Sequence, residues 1–300
     1  MNIQATTMVS VIGLGNMGHA LADSLLVKAF RVTVWNRTRA KAEPLERAGA
    51  SVALSVEAAA QGTDVMVVCL MDHAATFETV MTEKVGAALR GKSLVQLSTT
   101  LANEVDELAR WAESYDIAFL KGAIMVYPDD IRAGNGEVLY GGPKHLFDGL
   151  QPVLNAMGGR PCLVCDRPAD TIALTSASYS FLFSALLSFL FGAAICQRSG
   201  VSVEAFTHKV IEPFISGGSL MRYLDKAGRA AAIRRYDEDV QATLNVWNDG
   251  LRQMIVDVEA SAIDPAMLRP LKALLDQTAA NGYGQKDIAA VFETLLAEKH

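Results

Sequence analysis

The chain has 300 residues, of which 51% are hydrophobic and 20% charged, and its formal net charge is −6. These totals describe one or two globular domains with a sizeable core, and the acidic balance argues against nucleic acid or an anionic membrane as the main partner. Four cysteines, Cys69, Cys162, Cys165 and Cys196, make no disulfide framework at this length, and the start "MNIQATTMVSVIGLG" lacks the marks of a signal peptide, so a reducing cytoplasm is the expected compartment.

Short β-branched runs then alternate with helical ones. "MVSVIGLG" (8–15) predicts a strand, "NMGHALADSLLVKA" (16–29) a helix and "FRVTVWN" (30–36) a second strand. A short helix at 41–49, despite Pro44, and "ASVAL" (50–54) lead to a helix at 55–62 and the strand "DVMVVCLM" (64–71). A helix near 73–82 precedes a strand at 92–98, and a helix at 102–115 precedes the strand "IAFLKGAIM" (117–125). "EVLYGG" (137–142), a helix from Lys144 to Met157 and "CLVC" (162–165) close the series. This alternation implies an α/β domain built on a doubly wound parallel sheet with helices on both faces.

After Cys165 strand signals vanish, and helical stretches joined by "GG", "DP" and "NGYG" run to the end. The reading divides the chain into domains 1–167 and 168–300, the second all-helical and opened by a long helix with Asp170 as its cap. Between Asp170 and Arg198 there is no charged residue, and the segment is long enough to cross a membrane. Thr171, Thr175, Ser176, Ser178, Ser180, Ser184 and Ser188 recur through it, however, and no Lys or Arg cluster flanks it closely. A buried helix is therefore expected, covered between domains or by a second subunit, and no membrane partner.

The turn after the first strand carries Gly13-x-Gly15-x-x-Gly18. Gly13 permits a tight turn, Gly15 lets the backbone approach a pyrophosphate, and Gly18 lets helix and strand pack closely, with the helix N-terminus facing the phosphates. Leu14, Asn16 and Met17 complete the expected phosphate-binding turn. An NAD site usually ends its second strand with a carboxylate for the ribose hydroxyl, but this chain has "WNRTRAK" there. A carboxylate would repel a 2′-phosphate, whereas Arg37 binds one, so Asn36, Arg37, Thr38 and Lys41 point to NADP. Cys69, Leu70 and Met71 end the fourth strand, and Ser98 and Thr99 the fifth, where carboxyl ends line the cofactor crevice. The pair in "PCLVC" lacks a second ligand pair and reads as two thiols on a short buried strand, so no metal is expected. Asp129 and Asp130 read as turn residues, and Asp237, Glu238 and Asp239 as a solvated helix face.

"GLGNMG", "VWNRT", "VCLMD", "LSTT" and "GYGQKDIAAVFETL" together resemble the β-hydroxyacid dehydrogenase superfamily over essentially the whole chain. That resemblance implies a Rossmann domain, a long interdomain helix, a C-terminal domain like that of 6-phosphogluconate dehydrogenase, and a homodimer with exchanged helical domains. Within the superfamily, "KGAIMVYPDDI" (121–131) resembles the hallmark of NADPH-dependent imine reductases. Hydroxyacid dehydrogenases carry a Ser-Gly-Gly loop there for the substrate carboxylate; here stand Met125, Val126 and Tyr127, so Ile124 and Met125 are expected in the substrate pocket. The dehydrogenases also place a catalytic lysine on the interdomain helix, and no lysine occurs between Lys144 and Lys209.

Aligning on "QRSGVS" puts Thr175 in the lysine's place. An iminium substrate would be repelled by a buried ammonium, so a neutral residue suits C=N reduction. A threonine hydroxyl is too weak an acid to protonate an imine, but it orients a water or the substrate nitrogen; the competing assignment is a bond back to its own helix. Tyr179, one turn along the same face, is the candidate proton donor, with simple packing as the alternative. Trp247 closes the pocket of the same or a partner subunit, or is a core residue. The reading is an NADPH-dependent imine reductase that turns an imine, or an amine and a ketone, into an amine. The rivals are an NADP-dependent β-hydroxyacid dehydrogenase working without its lysine and a non-catalytic NADPH-binding protein.

Overall fold

The computed structural model describes residues 7–297. The described residues form two compact units, divided between Ser180 and Phe181.

In the first unit, eight strands make one sheet in the order β3-β2-β1-β4-β5-β6-β7-β8. They are β1 (Met8–Ile12), β2 (Arg31–Trp35), β3 (Ser51–Val52), β4 (Val65–Val68), β5 (Ser93–Gln96), β6 (Ala118–Ile124), β7 (Glu137–Gly141) and β8 (Arg160–Cys165). The helices between them are α1 (Asn16–Val27), α2 (Glu43–Arg47), α3 (Val56–Gln61), α4 (His73–Thr79), α5 (Glu83–Ala88), α6 (Ala102–Ser114), α7 (Pro128–Ala133) and α8 (Lys144–Ala156). Central strands such as β4, "VMVV", are buried on both faces, as a parallel sheet covered twice requires. One apolar cluster joins Leu21 and Leu25 of α1 to Leu150 and Leu154 of α8; the other joins Ala59 of α3 to Val105 and Leu108 of α6. The i, i+3 spacing of Val105 and Leu108 makes the inner face of α6, and Glu104 accepts from the Leu101 amide (2.6 Å) at its start.

The sheet departs from the expected all-parallel arrangement at one point: β6 and β7 pair antiparallel, and β7 with β8 parallel. The 125–136 connection contains only α7, six residues long. At about 1.5 Å per residue that helix cannot return the chain along β6, which rises about 3.3 Å per residue, so the chain turns back beside it. Where one helix was expected near 73–82 there are two, because Asp72 caps α4 through the Ala75 amide and Thr82 caps α5 through Val85. The Cys162 strand was expected to be buried; β8 is the sheet's edge and Cys162 is exposed.

A single long helix, α9 (Thr171–Arg198), begins in the first unit and ends in the second. Asp170 precedes it in a short turn and accepts from Arg167 (3.2 Å). The second unit continues with α10 (Val203–Phe206), α11 (Glu212–Ser216), α12 (Ser219–Ile233), α13 (Leu244–Ala260), α14 (Arg269–Thr278) and α15 (Val291–Leu296). Among its described residues there is no strand, only the isolated bridge Thr243–Asp287. Residues 237–239 lie in a turn rather than on the expected helix face, because α12 stops where Arg234 turns left-handed (φ 53°). Tyr236 is buried there, donating to Glu293 (2.7 Å).

The burial expected for α9 is not supplied by this chain. It is long and apolar enough to cross a membrane by length and composition, and only 6% of its most apolar stretch is buried. Phe183, Leu187 and Leu190 are 60%, 54% and 60% exposed. Apolar residues run all round the helix, so no single packed face could cover it.

Candidate active site

The glycine-rich turn follows β1. Gly13 has φ +95°, and a Cβ there would sit 2.4 Å from the Cys69 carbonyl oxygen. A Cβ on Gly18 would sit 2.0 Å from the Gly13 carbonyl oxygen, so α1 lies directly against the turn. Gly15 differs: a Cβ there meets nothing within 4 Å. It begins α1, whose first turn has no side-chain cap and no acidic residue. Unsatisfied amides and the positive end of the helix dipole therefore face open space, and the turn fits a dinucleotide pyrophosphate.

Asn36 is half-buried against the glycine-rich turn. Its Oδ1 accepts from the Leu14 amide (2.9 Å) and its Nδ2 donates to the Thr38 carbonyl (3.0 Å). An asparagine at the end of β2 thus fixes both loops from within. Arg37, Thr38 and Lys41 are exposed, and Arg37 and Lys41 have no carboxylate partner among the described residues. Arg39 instead reaches Glu46 (3.6 Å). Two free cations beside the helix N-terminus suit a 2′-phosphate.

A cleft of about 630 Å³ opens here, lined by Gly15, Asn16 and Lys41 and by four residues whose role the sequence did not reveal: His19, Tyr127, Asp129 and Arg132. His19 is on α1, and the other three come with α7, whose Arg132 pairs with Asp129 (2.8 Å) and approaches Asp23 of α1 (3.8 Å). Asp129 and Asp130 lie in the first turn of α7, where Asp130 accepts from the Tyr127 amide (3.2 Å).

Farther along the carboxyl edge, β4 stops at Val68, so Cys69, Leu70 and Met71 form the loop beyond it instead of the strand's end. Ser98 and Thr99 likewise follow β5. Ser98 is buried, and its hydroxyl accepts from the Leu70 amide (2.9 Å). Gln96 accepts from the Ser98 amide (3.2 Å) and donates to Thr76 (3.1 Å). Burial pushes the Cys69 thiol up to about 11, so it stays protonated near neutral pH. The structure also places Lys121, which the sequence reading did not single out, 2% exposed beneath this edge. Its signal was the lone charge in "IAFLKGAIM".

Ile124 ends β6, and Met125 follows it, half-buried. Tyr179 of α9 reaches this point, its hydroxyl 3.5 Å from the Ile124 carbonyl. Thr175 lies one turn earlier but donates to the Thr171 carbonyl (2.7 Å), so its proton is committed to its own helix. Only its lone pairs are left for a ligand. Trp247, in the second unit, is 43% exposed and lines an apolar groove of about 670 Å³ with Val246, Met254 and Leu271. Among the described residues no cluster of His, Cys, Asp and Glu is arranged to hold a metal.

Comparison with known proteins covers both halves. Residues 8–166 match the NAD binding domain of 6-phosphogluconate dehydrogenase, and residues 172–297 match the C-terminal domain of NADPH-dependent reductive aminase-like proteins. An NADPH-dependent reductive aminase of Aspergillus oryzae is 28% identical, over 97% of this chain and 98% of that protein. The solved imine reductase of Myxococcus stipitatus in complex with NADP+ is 30% identical, with a TM-score of 0.84 over 96% of this chain and 99% of that one. A reductive aminase of Aspergillus terreus, solved with NADPH4, cyclohexanone and allyl amine, is 27% identical, with a TM-score of 0.82 over 97% and 99%.

Proposed function

The chain belongs to the family defined by the NAD binding domain of 6-phosphogluconate dehydrogenase, here joined to a reductive aminase-like C-terminal domain, and from that premise we propose that it is an NADPH-dependent imine reductase. The single observation that carries the reading is that Tyr179 meets the end of β6 from a helix that brings no lysine. The Tyr179 hydroxyl reaches the Ile124 carbonyl, Met125 is the next residue, and the 28 residues of α9 include no lysine. A cationic iminium is tolerated beside such groups and would be repelled by an ammonium.

When bound, the reduced nicotinamide supplies a hydride to the carbon of the C=N bond. The chain's own residues bind and orient. The Gly13–Gly18 turn receives the pyrophosphate; Arg37 and Lys41 select the 2′-phosphate, favouring NADPH over NADH. Tyr179 supplies or directs the proton to nitrogen, and Thr175 orients a water or the substrate nitrogen through its lone pairs. The neighbouring proteins' ketone and amine ligands make reductive amination part of this proposal. The exposed apolar surface of α9 supports a homodimer with exchanged helical units, and the free cysteines support a reducing cytoplasm.

The test follows NADPH consumption with a small cyclic imine, beside a β-hydroxyacid offered with NADP+. Consumption with the imine alone is expected. Turnover of the hydroxyacid alone would overturn the reading, and binding of NADPH without any turnover would favour a non-catalytic role.

A further inference from the structure

Lys121 stands in β6 between Leu120 and Gly122, in a strand otherwise made of apolar and small residues. Its ammonium is shut away from water yet has no carboxylate partner among the described residues. It donates instead to three backbone carbonyls: Gly122 (2.5 Å), Ser98 (3.0 Å) and Gln96 (3.4 Å). Burying a charge without a counter-ion is costly, and an apolar side chain of the same length would serve packing better. What the lysine adds is position. Two of its carbonyls belong to the chain leaving β5, the segment whose Ser98 hydroxyl holds the Leu70 amide beyond β4.

We propose that Lys121 is a positioning residue for the dinucleotide: by gathering the Gln96, Ser98 and Gly122 carbonyls it sets Ser98 and Thr99, and through Ser98 the Leu70 backbone, in the shape that receives the cofactor. This inference rests on the dinucleotide reading given above. It also gives the site a pH response. Burial lowers the Lys121 pKa to about 8, so the brace loses a proton and one of its three donors in mildly alkaline solution.

The buried groups Cys69 and Tyr140 keep their protons through that window. Cys69, which faces the ammonium, is pushed up to about 11, and Tyr140 on β7 is pushed far up by burial. On α6 and the turn before α9, Asp106 and Asp170 pair with Arg167, and Glu107 with His73. Cys165, below that turn, is raised by burial and by Asp170.

The experiment titrates NADPH into the full-length wild type and the Lys121→Met variant, with melting followed in parallel. A dissociation constant raised about 10-fold, with melting unchanged or higher, is the expected result, since a merely structural role would move both together. Unchanged affinity in the variant would overturn the inference while leaving the dinucleotide reading intact. Absence of NADPH binding in the wild type would overturn both. Should the variant not fold, the wild-type chain decides: its affinity should weaken several-fold between about pH 7 and about pH 9.5, and a flat profile would overturn the inference.

Discussion

The carboxyl edge of the sheet and the helix α9 are opposite solutions to placing polar groups. At the edge, Asn36, Gln96, Ser98 and Lys121 are spent on named backbone partners, and what stays open is the cradle at Gly15. Along α9, apolar side chains stand exposed, and Thr175 turns its hydroxyl back on its own helix. The first region is held together within one chain; the second has the composition of a covered helix, and this chain's own residues leave it exposed. Cofactor binding should therefore respond to point changes at the edge, and assembly to changes on the helix.

The sharpest break comes at the glycines. Gly18→Ala drives a Cβ into a backbone oxygen, so a stability loss of about 3 kcal/mol or more is expected, together with loss of NADPH binding, read by melting and titration. Gly15→Ala meets open space at φ −69°, so melting should hardly move while NADPH affinity falls about 10-fold or more. Equal effects of the two would erase the distinction between the wall and the cradle.

Arg37→Glu places a carboxylate where a phosphate would come. A loss of about 10–100-fold in preference for NADPH over NADH is expected from paired kinetics. On the helix, Leu187→Arg should reduce the mass measured by sedimentation to that of a single chain, while NADPH binding by the carboxyl edge persists. A mass unchanged by the substitution would mean that α9 is not the assembly surface.

Stability against pH gives a smaller effect with a definite sign. The folded pKa of Lys121 is lowered from 10.5 to about 8, so between these values the unfolded chain holds a proton that the folded chain has released. Stability should then rise with pH across that window, by at most about 3 kcal/mol, and Lys121→Met should remove the rise. Thr175→Ala should be the mildest change, with turnover within about threefold of wild type, because its proton is already engaged with Thr171.

The parts of the site that the sequence revealed are those fixed by local geometry. A tight turn, a close helix approach and a bare helix end each demand glycine at a set spacing, so Gly13, Gly15 and Gly18 were legible. Asn36 was legible as a position but not as a role, since only the pairing of β1 with β2 brings its amide under Leu14. The reversal at β7 and the arrival of Arg132 at the cleft depend on how α7 folds back, which no periodicity encodes. Lys121 left one trace, a charge inside an apolar strand, but two of its three carbonyl partners, Gln96 and Ser98, are brought to it by the pairing of β5 with β6. The sequence left open whether α9 is covered within the chain or by a second subunit, because an uncharged helix has the same composition in either case.

The most direct measurement uses NADPH carrying deuterium on the transferable position of the reduced ring, incubated with a cyclic imine, with the amine product examined by mass spectrometry and NMR. Deuterium on the former C=N carbon is the expected result. Label that remains on the cofactor with the imine, yet passes to the carbinol carbon when a β-keto acid is offered, would contradict imine reduction as the activity of this chain.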